Sequence, residues 1–101
     1  MKQPGVCGTV RDYVAQFTSV TRLLILCHLT QGEANVQDIA EAVERRQSTV
    51  SQHLKQLRTA GIVTRNSDGN RRLYRISDPQ ANEMMDFIVN LARRVAGKER
   101  E

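Results

Sequence analysis

Residues 45–61 read RRQSTVSQHLKQLRTAG, and this stretch decides the predicted fold. On a helix of 3.6 residues per turn, Val50, Leu54 and Leu57 share one side and are expected to pack inward. The opposite and flanking positions carry hydroxyls, amides and one cation. These positions are Ser48, Thr49, Ser51, Gln52, Lys55 and Gln56. Such a face suits the DNA major groove, because hydroxyls and amides can hydrogen-bond to base edges while the backbone approaches closely.

A second helix precedes this one. Residues 36–43 carry an apolar stripe at helical spacing, and the helix of the opening stretch is expected over residues 47–60, with Gly61 as its stop. A short helix, a tight turn and a second helix form a helix-turn-helix, whose second helix enters the major groove.

A hairpin is predicted to follow the helix-turn-helix. Residues 62–65 and 72–76 are strand-like, and residues 66–70, NSDGN, supply turn residues between them. Arg71 and Arg72 beside this turn are expected to reach phosphates or the minor groove, as a wing does.

Three further helices complete the pattern. The first is expected over residues 9–18, and the second contains the apolar run RLLILCHL and is capped by Ser19 or Thr21. The last is expected over residues 80–96, opened by the sequence SDP. The predicted fold is therefore mainly α with a small β-hairpin, a single winged helix-turn-helix domain over residues 1–101 in the order α-α-α-α-β-β-α.

The charge distribution indicates an acidic partner. The chain has a net charge of +4 and a pI of about 9.6. Residues 44–75 hold eight of the 15 cations and only two acids, a net charge of +6 that leaves −2 for the rest. One basic region on a weakly acidic body is typical of nucleic-acid binding, the alternative being a merely solvated basic surface.

Other functional classes find little support. No apolar run approaches the roughly 20 residues that span a bilayer, and the start MKQPGVCG does not resemble a signal peptide. A cytoplasmic location with reduced cysteines is therefore expected. No nucleophile–base pair, phosphate loop or metal cluster is recognisable, so the chain is predicted not to be an enzyme and to need no cofactor.

About residues 21–81 resemble the ArsR/SmtB family of winged-helix repressors. The resemblance rests on the order and spacing of three segments, LLILCHL, RQSTVSQHLKQLRTAGIV and RRLYRISDP. The resemblance implies a homodimer held by the first and last helices, with residues 36–76 as the DNA-binding part. It also implies that the dimer binds a pseudo-palindromic operator and leaves it when a signal reaches a sensor site. The predicted DNA-contacting residues are Arg45, Arg46, Gln47, Ser48, Thr49, Ser51, Gln52, His53, Lys55, Gln56, Arg71 and Arg72.

The turn before the recognition helix departs from the family pattern. Many relatives have a Gly-Leu-Ser-like turn there, whereas this chain has Glu44, Arg45 and Arg46. The two arginines either add phosphate contacts, which we favour, or are tolerated because their stems pack along apolar surface.

The metal sites of the family are not matched. The cysteine pair that the resemblance places on the helix before the recognition helix falls on Asn35 and Gln37, and neither residue supplies a thiolate. The last helix lacks histidine, and Glu83 with Asp86 would form a weak zinc site. No metal site is therefore expected.

Cys27 is the remaining candidate for a sensor residue. LLILCHL resembles the persulfide- and redox-sensing branch, which includes the biofilm growth-associated repressor and pairs this cysteine with one on the last helix. That second position falls at about Arg93, so the pair is incomplete. Cys7, which precedes the predicted first helix, is a possible replacement.

Three interpretations of Cys27 stay open: a buried structural residue, a Cys7–Cys27 thiol switch sensitive to a thiol-reactive inducer, and a metalloid site shared by the two thiols. For the whole chain, the alternative to a repressor is a winged-helix protein-interaction module without a DNA target.

Overall fold

The computed structural model describes residues 5–100, apart from the side chains of Asp68 and residues 98–100, and its elements follow the predicted order. Five α-helices and a two-stranded antiparallel hairpin occur in this range, and the predicted winged helix-turn-helix is confirmed. The elements are α1 (Gly5–Val14) with a 3₁₀ turn (Ala15–Phe17), α2 (Val20–Leu29), α3 (Val36–Val43), α4 (Gln47–Thr59), β1 (Val63–Asp68), β2 (Arg71–Ile76) and α5 (Pro79–Arg100).

The core lies where α2, α3 and α4 meet the hairpin and the start of α5. Ile25, Leu26 and Ile39 are completely buried, together with the inward side chains of α4. Within the apolar run of α2, Leu23 and Cys27 are half-buried and Leu24 is exposed. Burial of this aliphatic surface is the main stabilising term of the domain.

The first helix begins earlier than predicted. It starts at Gly5 instead of residue 9, and the end of the predicted helix is the 3₁₀ turn. The apolar stripe extends one turn further toward the N-terminus, through Val6, Val10 and Val14, which are spaced by four. The glycines of these first turns have low helix propensity, so propensity alone did not predict a helix there. Cys7 therefore lies within α1 and not before it, which corrects the sequence-based expectation.

The last helix is longer than predicted. It runs from Pro79 to Arg100 instead of over residues 80–96. Its first turn is capped by Asp78, whose Oδ1 accepts a hydrogen bond from the backbone N–H of Gln80 at 3.0 Å, with Pro79 at the first helical position. Within the described residues, no helix is both long and apolar enough to cross a membrane.

The hairpin has longer strands and a tighter turn than predicted. Pairing continues to Asp68 and Arg71, which leaves Gly69 and Asn70 as a two-residue turn instead of the five residues 66–70. Gly69 has a φ of +66°, as the primed turns of tight hairpins require. Ala34 also pairs with Tyr74 of β2 through two backbone hydrogen bonds, of 3.1 and 2.8 Å, which fixes the hairpin to the loop before α3.

Gly61 ends α4 as predicted. Its φ is +79°, its N–H donates to the carbonyl of Arg58, and the N–H of Ile62 donates to the carbonyl of Leu57, both at 3.0 Å. These two hydrogen bonds form a Schellman motif, in which a residue in the left-handed conformation reverses the chain. Helix α4 therefore ends at a fixed point, directly before β1.

Candidate nucleic-acid interface

Helix α4 has one buried and one open side. Val50, Leu54 and Leu57 have no exposed surface, which confirms the predicted inward side. The residues that are exposed on the open side are Gln47, Ser48, Ser51, Gln52, Lys55 and Gln56. Thr49 and His53 are half-buried at the boundary. The helix therefore offers solvent a row of hydroxyl and amide groups with one cation.

The turn before α4 is built around a strained residue and an arginine. Glu44 adopts a left-handed conformation with a φ of +57°, which costs a non-glycine residue on the order of 1 kcal/mol. The Arg45 guanidinium donates to the carbonyls of Val43 at 3.1 Å and Glu44 at 3.2 Å, and to Thr21 Oγ1 at 3.2 Å. A cation at these carbonyls neutralises the negative end of α3. Arg46, the N-cap position of α4, is exposed and makes no side-chain capping bond.

Arg22, which was not among the predicted site residues, connects α2 to the recognition helix. Its guanidinium donates from Nε to His53 Nδ1 at 3.2 Å, from Nη1 to Gln16 Oε1 at 3.3 Å, and from Nη2 to Gln56 Oε1. Burial lowers the pKa of His53 from its ordinary value, and the charge of Arg22 lowers it further. Two of the predicted DNA-contacting side chains, His53 and Gln56, are thus already hydrogen-bonded within the protein.

The wing presents its two tip arginines on opposite faces. Arg72 shares its face of β2 with the buried Tyr74 and Ile76, whereas Arg71 lies on the other face with the half-buried Leu73, because side chains alternate along a strand. Both arginines are exposed. The hairpin therefore carries a cation to each side of its tip.

The basic region predicted from the sequence forms an open surface. Apart from Arg65, which is half-buried, its cations are exposed: Arg45, Arg46, Lys55, Arg58, Arg71, Arg72 and Arg75. Among the described side chains, the single ion pair is Arg11–Asp12, outside this region. No cation of the region thus forms an ion pair with a described carboxylate.

The sequence from Ser19 through α2, α3 and α4 into β1 matches a known family. Residues 19–65 fit the family model described as bacterial regulatory protein, arsR family. The chain contains an ArsR-family helix-turn-helix domain. The sequence-based resemblance to this family is therefore confirmed.

Relatives of this ArsR-family domain are named as regulators. The biofilm growth-associated repressor of Agrobacterium fabrum is 35% identical over 67 residues, which are 66% of this chain and 57% of that protein. The chain thus spans little more than half the length of such curated relatives.

Solved structures of other regulators share the whole architecture. The antimony-specific transcriptional repressor AntR aligns with a TM-score of 0.82 at 28% identity, covering 94% of this chain and 86% of that one. A homodimeric winged helix-turn-helix DNA-binding domain of Mycobacterium bovis aligns with a TM-score of 0.73 at 28% identity, covering 93% and 91%.

Cys27 of the ArsR-family domain lines an apolar groove between α2 and α5. Arg93 lines the same groove, together with Leu23, Met85 and Ile88. Arg93 is the position at which the count along the sequence placed the partner cysteine of the redox-sensing branch. Cys7 is exposed on α1, and both thiols are free.

Asn35 and Gln37, at which no metal ligands were expected, lie at the start of α3. Asn35 caps α3, since its side chain accepts from the N–H of Asp38 at 2.8 Å. Gln37 is exposed in the first turn of that helix. Within the described part of the chain, no cluster of three or more His, Cys, Asp or Glu side chains is placed to hold a metal ion.

Helices α1 and α5 expose apolar side chains that the described chain leaves uncovered. Phe87 is 62% exposed, Leu91 44% and Val95 50% along α5, and Val6 and Val10 are exposed along α1. A groove between the two helices is lined by valines of α1, Tyr13 and Met84. The buried hydroxyl of Tyr13 has no hydrogen-bond partner among the described residues.

Proposed function

We propose that this ArsR-family chain acts in the cytoplasm as a homodimeric, sequence-specific DNA-binding transcriptional repressor of a pseudo-palindromic operator. The observation that carries the proposal is α4, whose open side bears hydroxyl and amide groups with one cation, while the side chains of its other side are fully buried. Hydroxyls and amides at this spacing suit base edges, and the cations of the turn and wing suit the phosphates on either side.

The predicted contacts divide by chemistry. Residues 47–56 of the open side are assigned to base edges and nearby phosphates. Arg46, Arg71 and Arg72 are assigned to phosphates, since each is exposed. Arg45 already donates to two backbone carbonyls, so it contributes charge to the surface while it holds the turn.

The dimer is proposed from the apolar surface of α1 and α5. Large apolar side chains with half of their surface exposed are typical of a face that another chain covers. A second copy of this chain fits, because the structurally similar domain of Mycobacterium bovis is described as homodimeric. Two recognition helices in one dimer would read two half-sites about one helical turn apart.

Titration with duplex DNA in increasing salt tests the DNA-binding part. We expect affinity to fall steeply with salt, and Arg71→Ala to weaken binding to all sequences and reduce the slope of log K against log salt by about 1, because one phosphate contact is lost. Arg93→Ala, which removes an exposed arginine from the side of α5 away from the apolar row, is the matched control and should leave the slope unchanged. Binding without salt dependence, with retention of an acidic protein instead, would indicate a protein-interaction module.

For release from DNA, we propose oxidation of Cys7 and Cys27 to a disulfide. Two thiols give up two protons and two electrons, hydrogen peroxide accepts them to form two waters, and a sulfur–sulfur bond results. Cys7 lies in the first turn of α1 and Cys27 near the end of α2, and in the described residues these two helices do not pack extensively along each other. The first turns of α1 would have to unwind, which costs little packing energy because α1 has no buried residue.

Mass spectrometry and DNA binding after peroxide or polysulfide treatment test this switch. We expect the loss of two hydrogens per chain, a Cys7–Cys27 peptide link and weaker operator binding, all three absent in Cys7→Ser. Two free thiols with unchanged operator binding would contradict the proposal. Release by arsenite or antimonite without any disulfide would favour the metalloid-responsive alternative, which the similarity to an antimony-specific repressor supports.

A further inference from the structure

We propose that Arg22 is a positioning residue for base recognition, which holds the Gln56 side chain so that its amide N–H groups, and not its oxygen, face the DNA. This inference rests on the proposed DNA-binding function. Gln56 lies on the open side of α4, one helical turn after Gln52, where a side chain can reach a base edge. Arg22 lies outside the recognition helix, in the first turn of α2.

The hydrogen bond between Arg22 and Gln56 settles the orientation of the amide. A guanidinium has only donors, so the Gln56 atom that it contacts must be the carbonyl oxygen. The two N–H donors of the amide are left on the other branch of the group. The oxygen that a glutamine needs in order to accept from a base is therefore engaged inside the protein.

Two further contacts hold Arg22 in this position. His53 accepts from Nε through Nδ1, and Gln16 of the 3₁₀ turn accepts from Nη1. An imidazole that accepts at Nδ1 must be neutral, and the lowered pKa of His53 favours this form at neutral pH. Three acceptors from two different elements thus fix the guanidinium, which is half-buried between them.

The consequence is a changed preference between bases. A free glutamine recognises adenine in two ways at once, donating to N7 and accepting from N6. A glutamine whose oxygen is turned toward Arg22 presents its N–H donors to the groove, which favours guanine, because N7 and O6 of guanine both accept. The operator position opposite Gln56 is therefore expected to prefer guanine to adenine.

Selection from a pool of duplexes with a randomised core tests the inference. The full chain, Arg22→Met, Gln56→Ala and the double variant are compared, since methionine keeps an apolar stem without a donor. Arg22→Met removes the guanidinium donor. At one position of each half-site, the ratio of guanine to adenine should then fall about tenfold, as expected for one bidentate contact. In the Gln56→Ala background, Arg22→Met should cause no further shift, because the effect passes through Gln56.

The possible outcomes are distinct. If the unmodified chain selects no sequence, the proposed function fails. If it selects an operator and Arg22→Met selects the same base at every position, the positioning role is wrong while the function stands. A uniform loss of affinity with a salt slope lower by about 1 would also overturn it, since Arg22 would then be a phosphate ligand. If Arg22→Met does not fold, Arg22→Ala and Arg22→Lys replace it. Arg22→Lys keeps the charge and a donor, so it should shift the ratio less than Arg22→Ala does.

Discussion

Replacing Leu91 with lysine is expected to convert the proposed dimer into a monomer and to lower operator affinity at least about 30-fold. Leu91 lies in the exposed apolar row of α5, and a charge there would have to be buried without a partner when two copies meet. Loss of a central contact in an interface costs about 2 kcal/mol or more, which corresponds to this change in affinity. Analytical ultracentrifugation and an operator titration at fixed salt measure the two effects.

The matched control for this variant is Asp86→Lys. Asp86 is exposed on α5 and lies far around the helix from Leu91, so the new lysine avoids the apolar row. We expect the control to remain dimeric and to bind the operator. A monomeric control, or a Leu91→Lys protein that stays dimeric, would show that this row of α5 does not form the interface.

Replacing Leu54 with alanine should lower the free energy of unfolding by about 2–5 kcal/mol. Leu54 is fully buried on the inward side of α4, and the cavity left by truncation closes only partly in a packed core. For a domain of this size that is a large share of its stability. Urea denaturation followed by circular dichroism gives the value.

Gln52→Ala in the same helix is the contrasting variant. Gln52 is exposed two residues before Leu54, so the unfolding free energy should change by no more than about 0.5 kcal/mol. Sequence preference should instead relax at one operator position, because a base contact is removed. If Gln52→Ala destabilised the fold and left operator preference unchanged, the division of α4 into a packing side and a reading side would be wrong.

The recognition helix could be predicted because its signals are local. The spacing of Val50, Leu54 and Leu57 and the stop at Gly61 lie within one short stretch. The start of α1 could not be predicted in the same way, because the glycines of its first turns have low helix propensity. The hairpin turn was placed too broadly for a similar reason: all five residues 66–70 suit turns, and only the pairing with β2 shows that three of them belong to β1.

The contacts of Arg22 and Arg45 were not predictable from local pattern. His53 and Gln56 follow Arg22 by 31 and 34 residues, and Thr21 precedes Arg45 by 24, so only the packing of α2 against α4 brings them together. One signal was available in the sequence. Arg22 lies at the start of the mainly apolar helix VTRLLILCHL, where a charged group needs a partner.

The attachment of the recognition helix to α2 also determines how a salt titration should be interpreted. Arg22 bonds only to neutral acceptors, and the single ion pair among the described side chains, Arg11–Asp12, is exposed. Dissolved ions screen attraction between charges, whereas hydrogen bonds to neutral groups and apolar packing depend far less on ionic strength. The internal geometry of this domain should therefore stay the same from dilute to concentrated salt. The decrease in DNA affinity over that range of salt then measures the number of phosphate contacts directly, because the protein itself does not loosen.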